Sequence, residues 1–263
     1  MSKQLASKNT SNSNGLYPLL GTVRSLVYNE DCMIGLKRFS DNYFDLAICD
    51  IPYGIDVGNM AYLKETKTTV KQKNGTRLNG NKNKKPYTQK EWDKEAPPQK
   101  YFDELKRVSK EQIIFGIEYV NWTGIEGGKI VWNKGVPDGM SFKKTETAYC
   151  SMLDMGEVVE LPLLWAGMCQ AKSLSEPMTQ QGNKKLNEKR IHPCHKPRLL
   201  YRKLIADYGF EGMKLLDTHV GGGSIRIEAD LANCDFTGFE IDEEYYLKQE
   251  KRFTNFKKQL RLW

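Results

Sequence analysis

Two acids in this chain each close an apolar run and stand just before residues that turn the backbone. "FDLAICDIPYG" (44–54) ends its run at Asp50, with Ile51, Pro52 and Tyr53 following. "MKLLDTHVGGGS" (213–224) reaches Asp217, passes through His219 and the glycines 221–223, and opens a new segment at Ser224. Short apolar runs of this length read as buried strands, and in open α/β sheets ligands bind beyond the carboxyl ends of strands. Glycine lets a backbone approach a ligand closely, and a helix starting at Ser224 offers unpaired N–H groups to a carboxylate or phosphate. A third acid, Glu240, ends the next apolar run, "CDFTGFE", where it can accept hydrogen bonds from a ribose diol.

The acid before the glycine loop narrows the ligand. The spacing is not G-x-G-x-x-G, and Asp217 would repel a pyrophosphate while attracting an ammonium group. S-adenosylmethionine carries an ammonium, a carboxylate, a sulfonium and a ribose, which suits Asp217, the helix terminus and Glu240 together.

These residues need elements to hold them. "SLVYNED" (25–31) predicts a strand, "CMIGLKRF" (32–39) a helix and "FDLAIC" (44–49) a strand. Pro97 and Pro98 open a helix over 99–110, with Phe102, Leu105 and Val108 on one face. Strands follow at 112–117, 129–133, 145–152 and 157–164. Pro197 suits the first turn of a helix running to Tyr208. Then come a strand (213–217), a helix (224–233), a strand (234–240) and a last helix (242–260). Strands alternating with helices predict an α/β fold of Rossmann-like type, a doubly wound, mostly parallel sheet with helices on both faces. Residues 57–90 and 166–190 show no periodicity.

The pair "DIPY" and "DTHVGGGS" resembles the two signature motifs of the amino-methylating (adenine-N6 and cytosine-N4) DNA methyltransferases, D-P-P-Y and D-x-F-x-G-x-G. "HPCHKPRLLYRKLI" (192–205) resembles that family's H-P-T-Q-K-P segment, and "FGIEY" and "IVWNKG" its intermediate strands. The target-base motif comes first and the cofactor motifs last, which resembles the permuted β-class order. The resemblance implies a methyl group passed from S-adenosylmethionine to the exocyclic amine of a base flipped out of double-stranded DNA. It implies that Asp50 and the carbonyl of Ile51 accept hydrogen bonds from the amine, that Pro52 stiffens the turn, and that Tyr53 stacks on the base. Asp217, the loop from Gly221 to Gly223 and Glu240 would hold the cofactor. Asp31, with Cys32 beside it, matches the acid that reads the cofactor adenine, and Ser224, His195 and Lys196 would lie near the methionine end. Asp50 favours adenine over cytosine, because cytosine-N4 enzymes more often begin this motif with Ser. An RNA methyltransferase and a catalytically silent DNA-binding module are the alternatives. Ile51 replaces the usual first proline, His219 the usual Phe, and Cys194–His195 the usual Thr–Gln. Pro193–Cys194 looks like the nucleophile of cytosine-C5 enzymes, but it precedes the glycine loop and lacks their downstream Glu-Asn-Val.

Charge and composition set the bounds. The chain has 263 residues and net charge +7. Residues 64–90 hold nine Lys/Arg and one acid, a charge of +8, so the rest of the chain sums to −1. An apolar-poor block of one sign is expected to be a mobile basic loop (58–90) that meets a polyanion such as DNA. Residues 1–22 read as a flexible polar tail with no secretory h-region, 23–263 as the methyltransferase domain, and 154–190 as a short target-recognition insertion. Six scattered cysteines fit a reduced, cytoplasmic setting rather than a disulfide framework. No apolar run approaches a membrane span, and the close group His192–Cys194–His195 lacks a second ligand pair, so neither membrane nor metal is expected. A homodimer and a separate restriction endonuclease both remain open as partners.

Overall fold

Asp50 ends a strand that is flanked on both sides by parallel neighbours, and the sheet is organised around that position. The computed structural model describes residues 24–56, 69–71, 77–79, 92–140 and 143–260. In chain order its first elements are β1 (Ser25–Tyr28), α1 (Cys32–Gly35) and β2 (Phe44–Asp50). A small antiparallel pair follows, β3 (Thr69–Lys71) and β4 (Arg77–Asn79). Next come α2 (Gln99–Val108), β5 (Ser109–Phe115), β6 (Gly128–Asn133), β7 (Thr145–Cys150) and β8 (Val158–Pro162). A short hairpin, β9 (Trp165–Ala166) and β10 (Cys169–Gln170), leads to α3 (Arg198–Tyr208). The chain closes with β11 (Lys214–Asp217), α4 (Ser224–Leu231), β12 (Asp235–Phe239) and α5 (Glu243–Leu260).

Eight strands form one sheet in the order β1-β12-β11-β2-β5-β7-β6-β8. The first five are parallel throughout. β7 runs against both β5 and β6, and β8 is parallel to β6. Alternate residues of the central strands feed opposite cores, as a period of two requires. Leu46, Ile48, Ile113, Phe115 and Leu215 pack with Leu200 and Leu204 of α3 and with Ile225 and Ala229 of α4. Ala47, Cys49, Ile114 and Leu216 pack on the other face with Tyr101, Phe102, Leu105 and Val108 of α2. Both faces are covered, so the sheet is doubly wound.

That wrapping creates the cleft. β11 leads into α4 on one face of the sheet, and its neighbour β2 leads toward α2 on the other. Adjacent strands whose connections depart to opposite faces leave a crevice beyond their carboxyl ends, the usual ligand site of such sheets. Asp50 and Asp217 stand at its two sides. The late strands β11 and β12 slot between the early strands β1 and β2, so the permuted order of motifs still brings them together.

The structure departs from the sequence reading at several points. The helix expected over 32–39 is one α-turn followed by a 3-10 turn, Leu36–Arg38. Pro197 is the N-cap of α3 rather than part of its first turn. The stretch 166–190, expected to be irregular, holds β9, β10 and a 3-10 turn at Lys184–Leu186. Apart from β3 and β4, the expected mobile loop lies outside the described residues, as does the N-terminal tail. All six cysteines are free thiols. No described helix is long and apolar enough to cross a membrane.

Candidate active site

The turn after β2 is held from a distance. The backbone N–H groups of Tyr53 and Gly54 both donate to Asp93 Oδ1, at 2.7 and 3.1 Å, and Asp56 N–H donates to the Asp93 carbonyl. Tyr53 stacks on Tyr119, with ring centroids 4.6 Å apart and planes 12° from parallel. Behind Tyr53 is Gly116, at φ +89°, where an added Cβ would stand 2.3 Å from the ring. One face of the Tyr53 ring is therefore covered by Tyr119. The 3-10 turn Ile117–Tyr119 thus brings Tyr119 to the edge of this turn.

Asp50 sits in a buried charge network. Lys196 Nζ is ion-paired with Asp50 Oδ1 and lies 3.0 Å from Glu146 Oε2, while Glu146 is also ion-paired with Lys134. The Tyr53 hydroxyl donates to Asp50 Oδ1 at 3.0 Å and accepts from Lys196 Nζ at 3.2 Å. Burial raises the pKa of Asp50, the Glu146 charge adds to this, and Lys196 opposes both. Burial disfavours the charged form of Lys196, yet the two carboxylates hold it well above the ordinary lysine value. Burial would raise Glu146, but Lys196 and Lys134 bring it down to about 2.

Across the cleft, Asp217 is 1% exposed, and its Oδ1 accepts the backbone N–H of His219 at 2.9 Å. No cation among the described residues touches it. Burial, with the charges of Asp50 and Glu240 added, pushes it up to about 8 against that one hydrogen bond. Glu240 accepts Gly221 N–H at 2.8 Å on Oε2 and Asp242 N–H at 2.9 Å on Oε1, which ties the strand end to the glycine loop. Gly221 and Gly223 have φ of +52° and +68°, which only glycine adopts without strain. Gly222 is required for space, because a Cβ there would lie 2.3 Å from His195 Nδ1. Burial lowers His219 to about 4, so it is a neutral imidazole, 2.9 Å through Nδ1 from Thr218 Oγ1.

Glu188 joins the segment before α3 to the start of α4. Its Oε1 contacts His195 Nε2 at 3.0 Å and accepts from Ser224 Oγ at 3.1 Å and Arg252 Nη2 at 2.5 Å, and its Oε2 accepts Arg198 N–H at 2.9 Å. Burial alone would raise it, but His195, Arg252 and that N–H bring it down to about 2. An ionised carboxylate only accepts, so the proton sits on His195 Nε2 and Nδ1 keeps a bare lone pair. Nδ1 is buried with no partner.

One cleft gathers Asp31, Cys32, Asp50, Ile51, Pro52, Tyr53, His195, Lys196, His219, Gly221, Ser224 and Glu240. Asp217 and Gly223 stand behind its wall, and Gly222 lines it instead. Asp31 caps α1 by accepting Met33 N–H at 2.8 Å. Lys196, expected near a cofactor's methionine end, is on the Asp50 side. Sequence reasoning missed Trp92, Asp93, Glu146 and Glu188. Only "EWD" (91–93), an aromatic and an acid just past the lysine-rich stretch, carried a visible signal. The donor set suits a cofactor with a cation, an anion and a diol. Asp217 is an acid lacking a cation among the described residues, α4 follows a glycine loop in which a Cβ on Gly222 would not fit, and each Glu240 oxygen has two lone pairs with which to accept.

Fold and site together define a Rossmann-like α/β protein with its ligand cleft at the switch between β11 and β2. A family model described as DNA methylase, of the N6/N4 type, matches residues 70–251. The chain belongs to this DNA methylase family. The match does not reach residues 50–53. No curated protein matches the chain. Among solved structures, similar chains include the M1.HpyAVI–SAM complex, at 16% identity over 86% of this chain and 98% of that one, with a TM-score of 0.47. TTHA0409 of Thermus thermophilus, described as a DNA modification methylase, is 14% identical over 89% and 95%, with a TM-score of 0.48. The cytosine-N4-specific PvuII DNA methyltransferase is 12% identical over 86% and 85%, with a TM-score of 0.47.

Proposed function

We propose that this chain transfers a methyl group from S-adenosylmethionine to the N6 amine of an adenine flipped out of duplex DNA. The observation that carries this reading is Asp50, a carboxylate 14% exposed that lines the cleft on the same turn as Tyr53. When bound, the cofactor supplies a methyl group activated by a sulfonium. The chain's own residues do the rest. The Asp50 carboxylate and the carbonyl of Ile51 accept the two amine hydrogens and orient the nitrogen lone pair toward the cleft. An aryl amine is a weak nucleophile, so the gain comes from orientation and electrostatics rather than from a covalent intermediate. An ionised Asp50 is the stronger acceptor, and Lys196 opposes the burial that raises its pKa. Tyr53 and its neighbours offer an aromatic wall to a base that has left the stack. Asp217 and the start of α4 hold the amino-acid end of the cofactor, and Glu240 its ribose. Pro52 and Asp93 fix the turn on which Asp50 and Tyr53 depend.

Adenine is preferred to cytosine because the motif opens with Asp50 rather than Ser. The test is to express the chain in cells lacking their own adenine and cytosine-N4 methylation and to sequence their DNA with base-modification detection. N6-methyladenine in a fixed sequence context is expected. N4-methylcytosine would overturn the adenine assignment. Unmodified DNA from cells holding folded protein, together with turnover on RNA alone, would overturn the DNA reading.

A further inference from the structure

Among the described residues, two buried side-chain nitrogens lack a hydrogen-bond partner, His195 Nδ1 and Trp92 Nε1, and both belong to residues lining the same cleft. His195 falls within the motif already discussed. Trp92 does not, and no role for it follows from the family resemblance.

We propose that the Trp92 indole N–H is a ligand-binding donor of this cleft and that it takes the carboxylate of the bound cofactor. The inference rests on the S-adenosylmethionine reading above.

An indole nitrogen donates and cannot accept, so a buried, unpartnered Nε1 calls for an acceptor from outside the protein. Its ring is not free to turn away. Trp92 packs on His192, with centroids 4.9 Å apart, and meets Tyr245 edge-on at 6.5 Å. The next residue, Asp93, is anchored by the N–H groups of Tyr53 and Gly54. The position points to the amino-acid end of the ligand. His192 lies against the glycine loop, since a Cβ on Gly221 would stand 3.5 Å from its ring. Trp92 is therefore on the side of the cleft where α4 begins and where backbone N–H groups already favour an anion. His192 does not supply a cation there, because burial and nearby positive charges lower it to about 3. Its Nδ1 accepts Cys194 N–H at 3.2 Å. The cation at the start of α4, Arg252, is already paired with Glu188, whereas Trp92 Nε1 is a neutral donor with no hydrogen-bond partner.

The test compares Trp92→Phe with the parent protein by calorimetry, using S-adenosylmethionine and its decarboxylated analogue. Phe keeps an aromatic ring against His192 and Tyr245 and removes only the N–H. Loss of a hydrogen bond to a charged group predicts roughly a ten- to hundredfold weaker affinity for S-adenosylmethionine. Affinity for the decarboxylated analogue should stay within about twofold, and that binding also certifies that the variant is folded. An equal loss on both ligands would overturn the carboxylate assignment, and no loss on either would overturn Trp92 as a ligand donor. A parent protein that binds neither ligand is a different outcome, since it would remove the cofactor reading itself.

Discussion

Lys196 reaches Asp50 across 146 residues of sequence and is its only cationic partner among the described residues. Both side chains are largely shielded from water, at 4% and 14% exposure. The pair joins the turn after β2 to the segment that leads into α3, so the two halves of the cleft share one electrostatic network. Glu146 completes it by giving Lys196 a second carboxylate.

Asp50→Ala is expected to remove methyl transfer and to leave cofactor affinity within a few-fold of the parent. The acceptor for the amine is lost, while Asp217, Glu240 and the glycine loop are untouched. Single-turnover assays with labelled cofactor, run beside calorimetry, check this. Collapse of cofactor binding together with activity would make Asp50 a structural residue instead.

Lys196→Met tests what keeps Asp50 ionised. An opposite charge in contact lowers a carboxylate pKa by roughly one to three units, so its removal lets burial raise Asp50 by a comparable amount. The acid limb of kcat/KM against pH should move upward, and activity at neutral pH should fall more than activity at high pH. A profile that loses height without moving its limb would show that Lys196 acts through contact rather than charge.

The sequence carried the βαβ rhythm of the carboxyl-terminal half plainly, because Leu215, Leu216, Phe236 and Phe239 alternate with helical segments at strand and helix periods. It also carried every acid at a strand end, since each follows an apolar run. It did not carry the partners. Asp93 is 40 residues from Tyr53, Glu146 is 50 from Lys196, and Arg252 is 64 from Glu188, and apart from "EWD" at 91–93 these acids and the arginine sit in segments with no distinguishing pattern. Such pairings are set by which strands lie side by side, and the insertion of β11 and β12 between β1 and β2 is a property of topology. Glu188 falls in a polar stretch read as an insertion, yet it is tied to α4 and α5.

Asp217 gives a pH signature without catalysis. Its unfolded value is 3.8 and its folded value about 8, so the cofactor-free protein is stabilised fully below the lower value and loses that contribution as pH rises to the upper one. Asn does not titrate, so Asp217→Asn should gain stability on the parent across that window, by an amount on the order of several kcal/mol. Thermal melts at pH 5 and pH 8.5 should show the gap widening. Cofactor affinity should move the other way, falling by about 1.5–3 kcal/mol. If an ammonium binds here, the parent must also release a proton on binding at pH 7, which calorimetry in buffers of different ionisation enthalpy would register. Binding without proton release would remove Asp217 from the cofactor site.

Glu188→Ala leaves the half-buried Arg252 without its carboxylate and frees the proton-bearing Nε2 of His195. The pair is partly exposed, at 17% and 19%, so denaturant unfolding should register a loss of about 1–3 kcal/mol, the scale of a lost hydrogen bond to a charged group. Because Ser224 and His195 are both held by Glu188, cofactor affinity should fall as well. A destabilised variant with unchanged affinity would confine Glu188 to the scaffold.

The lysine-rich stretch offers the last test. Asp56 before it and Trp92 after it both stand at the carboxyl edge of the sheet, Asp56 N–H donating to the Asp93 carbonyl at 2.9 Å, so the chain between them leaves from and returns to the face of the cleft. That stretch carries the whole positive excess of the protein. If it contacts DNA phosphates, each one neutralised releases counterions and steepens the fall of log K with log salt by about 0.9. Replacing residues 58–90 with a Gly/Ser linker should flatten the salt slope by roughly two to five units, measured on one duplex over one salt range. Cofactor affinity should hold, provided Trp92 and Asp93 are kept in place. An unchanged slope would mean that the basic residues do not touch the DNA backbone and that binding depends on the cleft and the 154–190 region.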